Sequence, residues 1–256
     1  MKNNIIFHRA TTREIQIASS ELMKKGRMLF NNYYGVNEDD DCGMFFSNFT
    51  LLIRKKEFHF YRLYIMSIDE TDLSMLLKDL CGDEYAINIP SKTPIDNWDV
   101  LLRNSGFEFL DVYSRYYNNN IKTFPTDINT YAERDEIEDI ASLLYDNFSL
   151  YTDHLPSKEE LERMVSNRQI ITDHNNGKVC GVLIYTIIGN KGYQNAWIDK
   201  GDNGLALLFK VKSIFIEQGI KYCYYWIKDT NKSVINMHQM MGGRPDGLKD
   251  YNYLKK

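Results

Sequence analysis

The sequence predicts an α/β fold built twice in tandem, on three observations. The two halves on either side of Asn118-Asn119-Asn120-Ile121-Lys122-Thr123-Phe124-Pro125 run through one order: paired strands, a helix, a strand, a helix and a terminal strand. In the second half an Asn176-Gly177 pair, which tolerates positive φ, joins two β-branched runs as a hairpin. Further on, the turn Lys200-Gly201-Asp202-Asn203-Gly204-Leu205-Ala206 opens a long amphipathic helix, a position where backbone amides can hold a phosphate. The proline-terminated polar connector marks the boundary and divides the chain into residues 1–125 and 126–256.

Taken in order, Phe45 to Ile53 and Glu57 to Ser67 read as strands separated by Arg54-Lys55-Lys56. Leu73, Leu76, Leu77 and Leu80 fall at helical spacing within Thr71 to Leu80. Tyr85 to Ile89 is a short strand. Pro94 opens a helix reaching Asn104, with Gly106 suited to its C-terminal cap, and Phe107 to Tyr117 closes the copy as one or two strands. In the second half, Arg134 to Phe148 carries Ile137, Ile140, Ala141 and Leu144 on one helical face, and Ser157-Lys158-Glu159-Glu160 is a capping box for the next helix. Strands follow at Gln169 to Thr172 and Val179 to Ile188, with another ending near Asp199. A helix from Leu205 to Gln218 is stopped by Gly219. Tyr222 to Ile227 is a strand, Asn231 to Met241 a helix, and Leu248 to Leu254 the last strand.

Composition narrows the function. Of the 256 residues 43% are hydrophobic and 26% charged, enough for real cores and against wholesale disorder. A formal charge of −4 speaks against a general nucleic-acid binder. Cys42, Cys81, Cys180 and Cys223 are scattered without metal-like pairing and read as reduced, mostly buried thiols. His59, His154 and His174 are isolated, so no metal site is expected; the acidic run Glu38-Asp39-Asp40-Asp41 reads as a solvated loop. No stretch approaches the roughly 20 apolar residues of a membrane span, and Met1 to Ala10 lacks the apolar run of a signal peptide. The expected setting is cytoplasmic.

Over roughly residues 127 to 256 the chain resembles the GNAT superfamily of N-acetyltransferases. The segment Asn176 to Ile184 looks like the hairpin between that family's second and third strands. The turn ending Gly204-Leu205-Ala206 looks like its pyrophosphate loop, and Asn231, Val234, His238 and Gly242 fall on the spacing of its late helix. The resemblance implies two acetyltransferase-like domains, each a twisted mixed sheet flanked by helices, the first copy degenerate. It implies acetyl-CoA or another acyl-CoA as co-substrate, lying where the sheet splays between its fourth and fifth strands. Asn203, Gly204, Leu205, Ala206 and Asn231 would contact it, an amine of a small molecule or peptide would attack the thioester, and a side chain would protonate the leaving thiolate.

The sequence departs from the pattern in ways that leave pairs of readings open. Gly201 stands where the loop usually has Gln or Arg, and Asp202 sets a negative charge beside the phosphate position; an ordinary turn capped by Asp202 or Asn203 is the other reading. His238 stands where tyrosine is usual; it is either the acid for the thiolate, with an ordinary pKa near 6.5, or a helix residue facing outward. Asn231 either contacts the coenzyme or caps its helix. Asp199 is the candidate general base if its strand register points it into the cleft, and a solvated strand end otherwise. Tyr222, Tyr224 and Trp226 form one aromatic row that lines an acceptor pocket or packs on a helix. The first copy has Ser67-Ile68-Asp69-Glu70 in place of a glycine turn, so it is not expected to bind coenzyme. Two other functions fit this outline: an aminoacyl-tRNA-dependent transferase of tandem architecture, disfavoured by the missing basic excess, and a non-catalytic binding protein that kept the fold.

Overall fold

The computed structural model describes residues 5–128 and 130–256. The chain forms two compact units, Met1–Val112 with Lys249–Lys256, and Tyr113–Leu248. The connector expected to separate the copies, Asn118 to Pro125, therefore lies inside unit 2. Among the described residues no helix is long and apolar enough to cross a membrane.

Unit 1 contains β1 (His8–Arg9), α1 (Thr12–Lys25), β2 (Phe30–Asn31), β3 (Cys42–Phe46), β4 (Thr50–Glu57), β5 (Phe60–Ser67), α2 (Glu70–Asp79), β6 (Tyr85–Ser91) and α3 (Asp96–Asn104), then the start of β7 (Glu108–Asn118). Its sheet runs β1-β3-β4-β5-β6 and is extended by residues 249–255 at the end of the chain, which pair antiparallel with β6 from Lys249↔Ser91 to Lys255↔Tyr85. Alternate residues of β4 and β5 serve opposite faces. Leu51, Ile53, Tyr64 and Met66 pack against Ile15, Ala18 and Leu22 of α1. Leu52, Leu63 and Ile65 pack with Leu73 and Leu77 of α2 and Leu101 and Leu102 of α3. Both faces are covered, which is why these strands read as continuous apolar runs.

One expectation needs correction here, and one element is added. The basic triplet Arg54-Lys55-Lys56 is not a turn but the end of β4; the turns fall at 47–49 and 58–59. The charges are absorbed laterally: Arg54 lies over the rings of Phe7 and Tyr61, Lys55 pairs with Asp40, and Lys56 lies over Tyr61. Helix α1 was not anticipated, although Thr11 and Glu14 form a complete capping box at its start.

Unit 2 takes β7 onward: a 3-10 turn (Arg134–Glu136), α4 (Ile137–Tyr145), α5 (Lys158–Ser166), β8 (Ile170–Asn175), β9 (Lys178–Ile188), β10 (Lys191–Asp199), α6 (Gly204–Glu217), β11 (Tyr222–Lys228), α7 (Lys232–Met240) and the start of β12 (Arg244–Lys255). The hairpin turn forms at Asn176-Gly177, both at positive φ. The sheet order is β7-β11-β10-β9-β8, with β10 and β11 parallel and the rest antiparallel. Helix α6 packs Leu207, Leu208, Val211 and Phe215 against Leu183, Tyr185, Cys223 and Tyr225. Gly192 permits this: a Cβ there would enter the Phe215 ring at 2.6 Å. The buried row of β11 is Cys223, Tyr225 and Ile227. Tyr222, Tyr224 and Trp226 face the other side, where Tyr224 stacks on Tyr193 and Arg115 lies over Tyr224 and Trp226, so that row does not pack on a helix as one reading had it. All four cysteines are free: Cys42 and Cys223 are buried, Cys180 is half-buried and Cys81 exposed.

Candidate active site

In unit 2 the two parallel strands pair only from Lys191↔Tyr222 to Gln194↔Tyr225. At that point β10 carries a bulge, its register against β9 slipping between Gln194 and Ala196. An extra residue bends a strand away from its neighbour. Beyond the bulge Ala196–Asp199 follow β9, while Trp226–Lys228 follow β7. The strands part, and a cleft of about 320 Å³ opens between them.

One wall is Gln194 to Trp197, the other Tyr225 to Lys228. Helix α7 contributes Asn231, Val234 and His238, and the segment after α4 contributes Asn147, Phe148, Ser149 and Asp153. Two buried donors in this cleft, Gln194 Nε2 and Trp197 Nε1, have no hydrogen-bond partner. Buried polar groups are ordinarily paired, and among the described residues these two are shut in beneath the cleft wall without a partner.

His238 faces inward and is 3% exposed. Its ring stacks on Tyr225 at 4.0 Å between centroids and meets Trp197 edge-on at 6.0 Å. Burial, aided by the positive charge of Lys212, pushes its pKa down to about 3. The imidazole is thus neutral at ordinary pH; it can offer one ring N–H but carries no imidazolium proton. Gly243 is required beside it, because a Cβ there would run into the Tyr225 hydroxyl and the His238 carbonyl.

Asn231 satisfies both of its readings. Its Oδ1 accepts the Val234 amide at 3.3 Å as the cap of α7, and the residue also lines the cleft. Asp153 had no signal in the sequence, because its importance depends on a fold that brings the 149–153 turn to the strand ends. Its carboxylate accepts the Tyr113 hydroxyl and the Ser149 amide, each at 2.8 Å. Burial nevertheless raises its pKa, against the lowering pull of those bonds.

The turn before α6 is less hospitable. Asn203 occupies the cap position but makes no capping bond; its amide donates instead to Asp173 at 3.1 Å. The amides of Gly204, Leu205 and Ala206 precede the first helical bond, Leu207 to Asn203, so they point out as an anion site would need. Asp199, however, stands beside them and is not among the residues lining the cleft. Its Oδ1 accepts the Gly201 amide at 3.2 Å, and a Cβ on Gly181 would come within 2.6 Å of the same oxygen. The side chain turns to the helix because the bulge sets the register of the strand end. Asp173, Cys180 and Asp199 bring their ligating atoms within 4.8 Å of one another. Burial, with the hydrogen bond to Asp173 and its charge, pushes the Cys180 thiol up to about 11, so it stays protonated. The structure therefore brings His238 and Asn231 together with Asp153 at the cleft, and gathers Asp199, Asn203, Gly204, Leu205 and Ala206 at the turn.

The same opening exists in unit 1 but is filled. There β5 and β6 pair only at Tyr61↔Tyr85 and Arg62↔Ala86. Strand β2 runs into the gap, pairing Phe30↔Ser67 and Asn31↔Met66. Next to it, the buried Asn32 amide donates to Leu63 O on one strand at 3.3 Å and to Asn88 O on the other at 3.0 Å, while its Oδ1 accepts the Ile65 amide at 2.7 Å.

No protein family and no curated protein matches the sequence. Solved structures do match in fold. A tandem GNAT protein from the clavulanic acid biosynthesis pathway aligns with a TM-score of 0.59 over 97% of both chains, at 9% identity. A GNAT-family acetyltransferase from Colwellia psychrerythraea aligns with a TM-score of 0.56 over 98% of this chain and 100% of its own, at 10% identity. A GCN5-related N-acetyltransferase from Sphaerobacter thermophilus aligns with a TM-score of 0.58 over 88% of this chain and 83% of its own, also at 10% identity. At such identities the likeness shows the fold alone, and the fold is the mixed α/β architecture of GNAT acetyltransferases, one of these neighbours being a tandem protein.

Proposed function

We propose that this chain is an acyl-CoA-dependent N-acyltransferase, with acetyl as the acyl group and an amine of a small molecule or peptide as acceptor, working in the cytoplasm. The observation that carries this reading is the parting of β10 from β11 around a cleft that keeps two unpartnered buried donors. The coenzyme would supply an activated thioester there. Gln194 Nε2 and Trp197 Nε1 are the donors for its polar groups, with the uncapped amides of Gly204, Leu205 and Ala206 for its phosphates. Asp153 holds the acceptor: a carboxylate of raised pKa among Tyr113 and Ser149 suits an incoming ammonium and can take its proton. His238, neutral and fixed by Tyr225 and Trp197, offers an N–H bond toward the leaving sulfur. Asp199 is assigned to shaping the turn. Unit 1, with its opening filled, serves as a non-catalytic copy.

Calorimetric titration of acetyl-CoA tests this first. Micromolar binding that Gly204→Glu abolishes is the expected result, since that side chain would press on Asp199 and Trp197 from 3.2–3.4 Å and add a charge at the turn. No binding at millimolar coenzyme would reject the proposal. Once an acceptor is known, Asp153→Asn should lower kcat about a hundredfold while leaving coenzyme affinity intact.

A further inference from the structure

A second cavity of unit 2 shares no lining residue with the cleft. It has a volume of about 340 Å³ and is bounded by Asn120, Lys122, Phe124, Phe209, Lys212, Met240, Met241 and Gly242. Small-molecule sites start at about this size. Its walls are held in place on both sides: the Thr123 hydroxyl donates to Phe209 O at 2.8 Å, and the Asn118 amide donates to Met241 O at 2.8 Å.

Lys212 is the unusual member. It is 2% exposed, and among the described residues the only acceptor recorded for its ammonium group is the Met241 thioether, at 3.4 Å. A thioether is a weak acceptor, and an ammonium group has three donors to satisfy. A buried lysine ordinarily has a carboxylate partner; among the described residues this one has none. Burial accordingly lowers its pKa. The titratable neighbours do not compensate: the Cys223 thiol is pushed up to about 12 and His238 down to about 3, so both stay neutral. Lys122 adds a second positive charge to the lining. The lining also holds the Phe124 and Phe209 rings, 5.0 Å apart, and the two methionines, Met241 beside the Lys212 amine.

From this arrangement we propose that the cavity binds a small aromatic monocarboxylate, its carboxylate on Lys212 and Lys122 and its ring against the touching Phe124 and Phe209 rings and the methionines. The ligand supplies the missing counter-ion and fills the apolar part. The site is separate from the acyl-transfer cleft and stands whether or not that activity is found.

Benzoate titrated into the full chain, followed through the labelled methyl signals of Met240 and Met241, tests it. Benzoate should shift both signals saturably, and benzylamine, of equal shape and opposite charge, should not. Lys212→Leu should weaken benzoate by roughly ten- to a hundredfold, the loss expected for a charge-assisted pair. Equal response to benzylamine, no saturable shift with benzoate, or unchanged affinity in Lys212→Leu would each overturn the assignment. Should Lys212→Leu fail to fold, the two ligands on the unmodified chain still decide.

Discussion

The two openings of this molecule arise in the same way and end differently. In each unit a pair of parallel strands hydrogen-bonds for a few residues and then separates, after Arg62↔Ala86 in one and Gln194↔Tyr225 in the other. In unit 1 the chain's own Phe30–Asn32 enters the gap, and the Asn32 amide spends both donors and its acceptor on the two strands. In unit 2 the parted strands border an open cleft, and the side-chain donors Gln194 Nε2 and Trp197 Nε1 lie buried there without a partner among the described residues. The flanking helices diverge in step. Seven residues after the cap stands Leu102 in α3 and His238 in α7, and eleven after it stand Gly106 and Gly242, both at φ +87°. Asp69 caps α2 with its own carboxylate, whereas Asn203 leaves α6 uncapped. A splayed pair of strands is therefore not in itself a binding site. In unit 1 the chain closes the gap with its own residues, and in unit 2 it leaves a cleft.

The comparison can be broken first at Asn32. Asn32→Ala would strand buried groups on both β5 and β6, costing roughly 3 kcal/mol, read as a lower urea midpoint, without creating coenzyme affinity in unit 1. A stability change under half that size would show that the plug is incidental. The second test uses the contrast between Leu102 and His238. The unfolded histidine titrates near 6.5, the folded one at about 3, so the folded state binds fewer protons in between. The stability tied to neutral His238 is complete above the unfolded value and is lost as pH falls toward the folded one, at about 1.4 kcal/mol per pH unit. His238→Phe should flatten the acid limb of the stability curve between pH 6 and roughly 4.5; an unchanged limb would contradict a buried neutral imidazole. The smallest effect is expected at the turn. Asp202 is exposed, and Asp202→Asn should tighten coenzyme binding by roughly two- to fivefold at low salt and hardly at all at high salt. Weaker binding would mean that the phosphates lie elsewhere.

Much of this was legible in the sequence because it is local. Asn176-Gly177, the Ser157–Glu160 capping box and the leucine spacing of α2 each fix an element through neighbours a few residues away. Asn231 and His238 came from the resemblance to the late helix of the GNAT family, and both line the cleft. What was not legible depends on distant partners. Arg54-Lys55-Lys56 looks like a turn until Phe7, Asp40 and Tyr61 are set around it. The two residues of β2 have no periodicity to detect, and only their seat beside β5 gives Asn32 its role. Asp153 gains its surroundings from Tyr113, forty residues earlier, and Lys212 is set apart only by its burial beside Met241. Asp199 shows the remaining difficulty: a bulge at Asn195 decides which way a strand end points, and no residue type announces it.

The split of β12 has a consequence for the order in which this protein is made. Its residues 244–248 belong to unit 2, yet Lys249–Lys255 pair along β6, and Tyr253, 1% exposed, sits in the core of unit 1. Domains commonly fold during synthesis from the N-terminus onward. Here every residue of unit 2 has been translated before the strand that completes unit 1, so the unit made earlier is the later to have its sheet finished. Until then β6 presents an unpaired edge, the kind of surface that recruits stray strands, and a nascent chain arrested at Leu248 should show that edge as rapid amide exchange along β6.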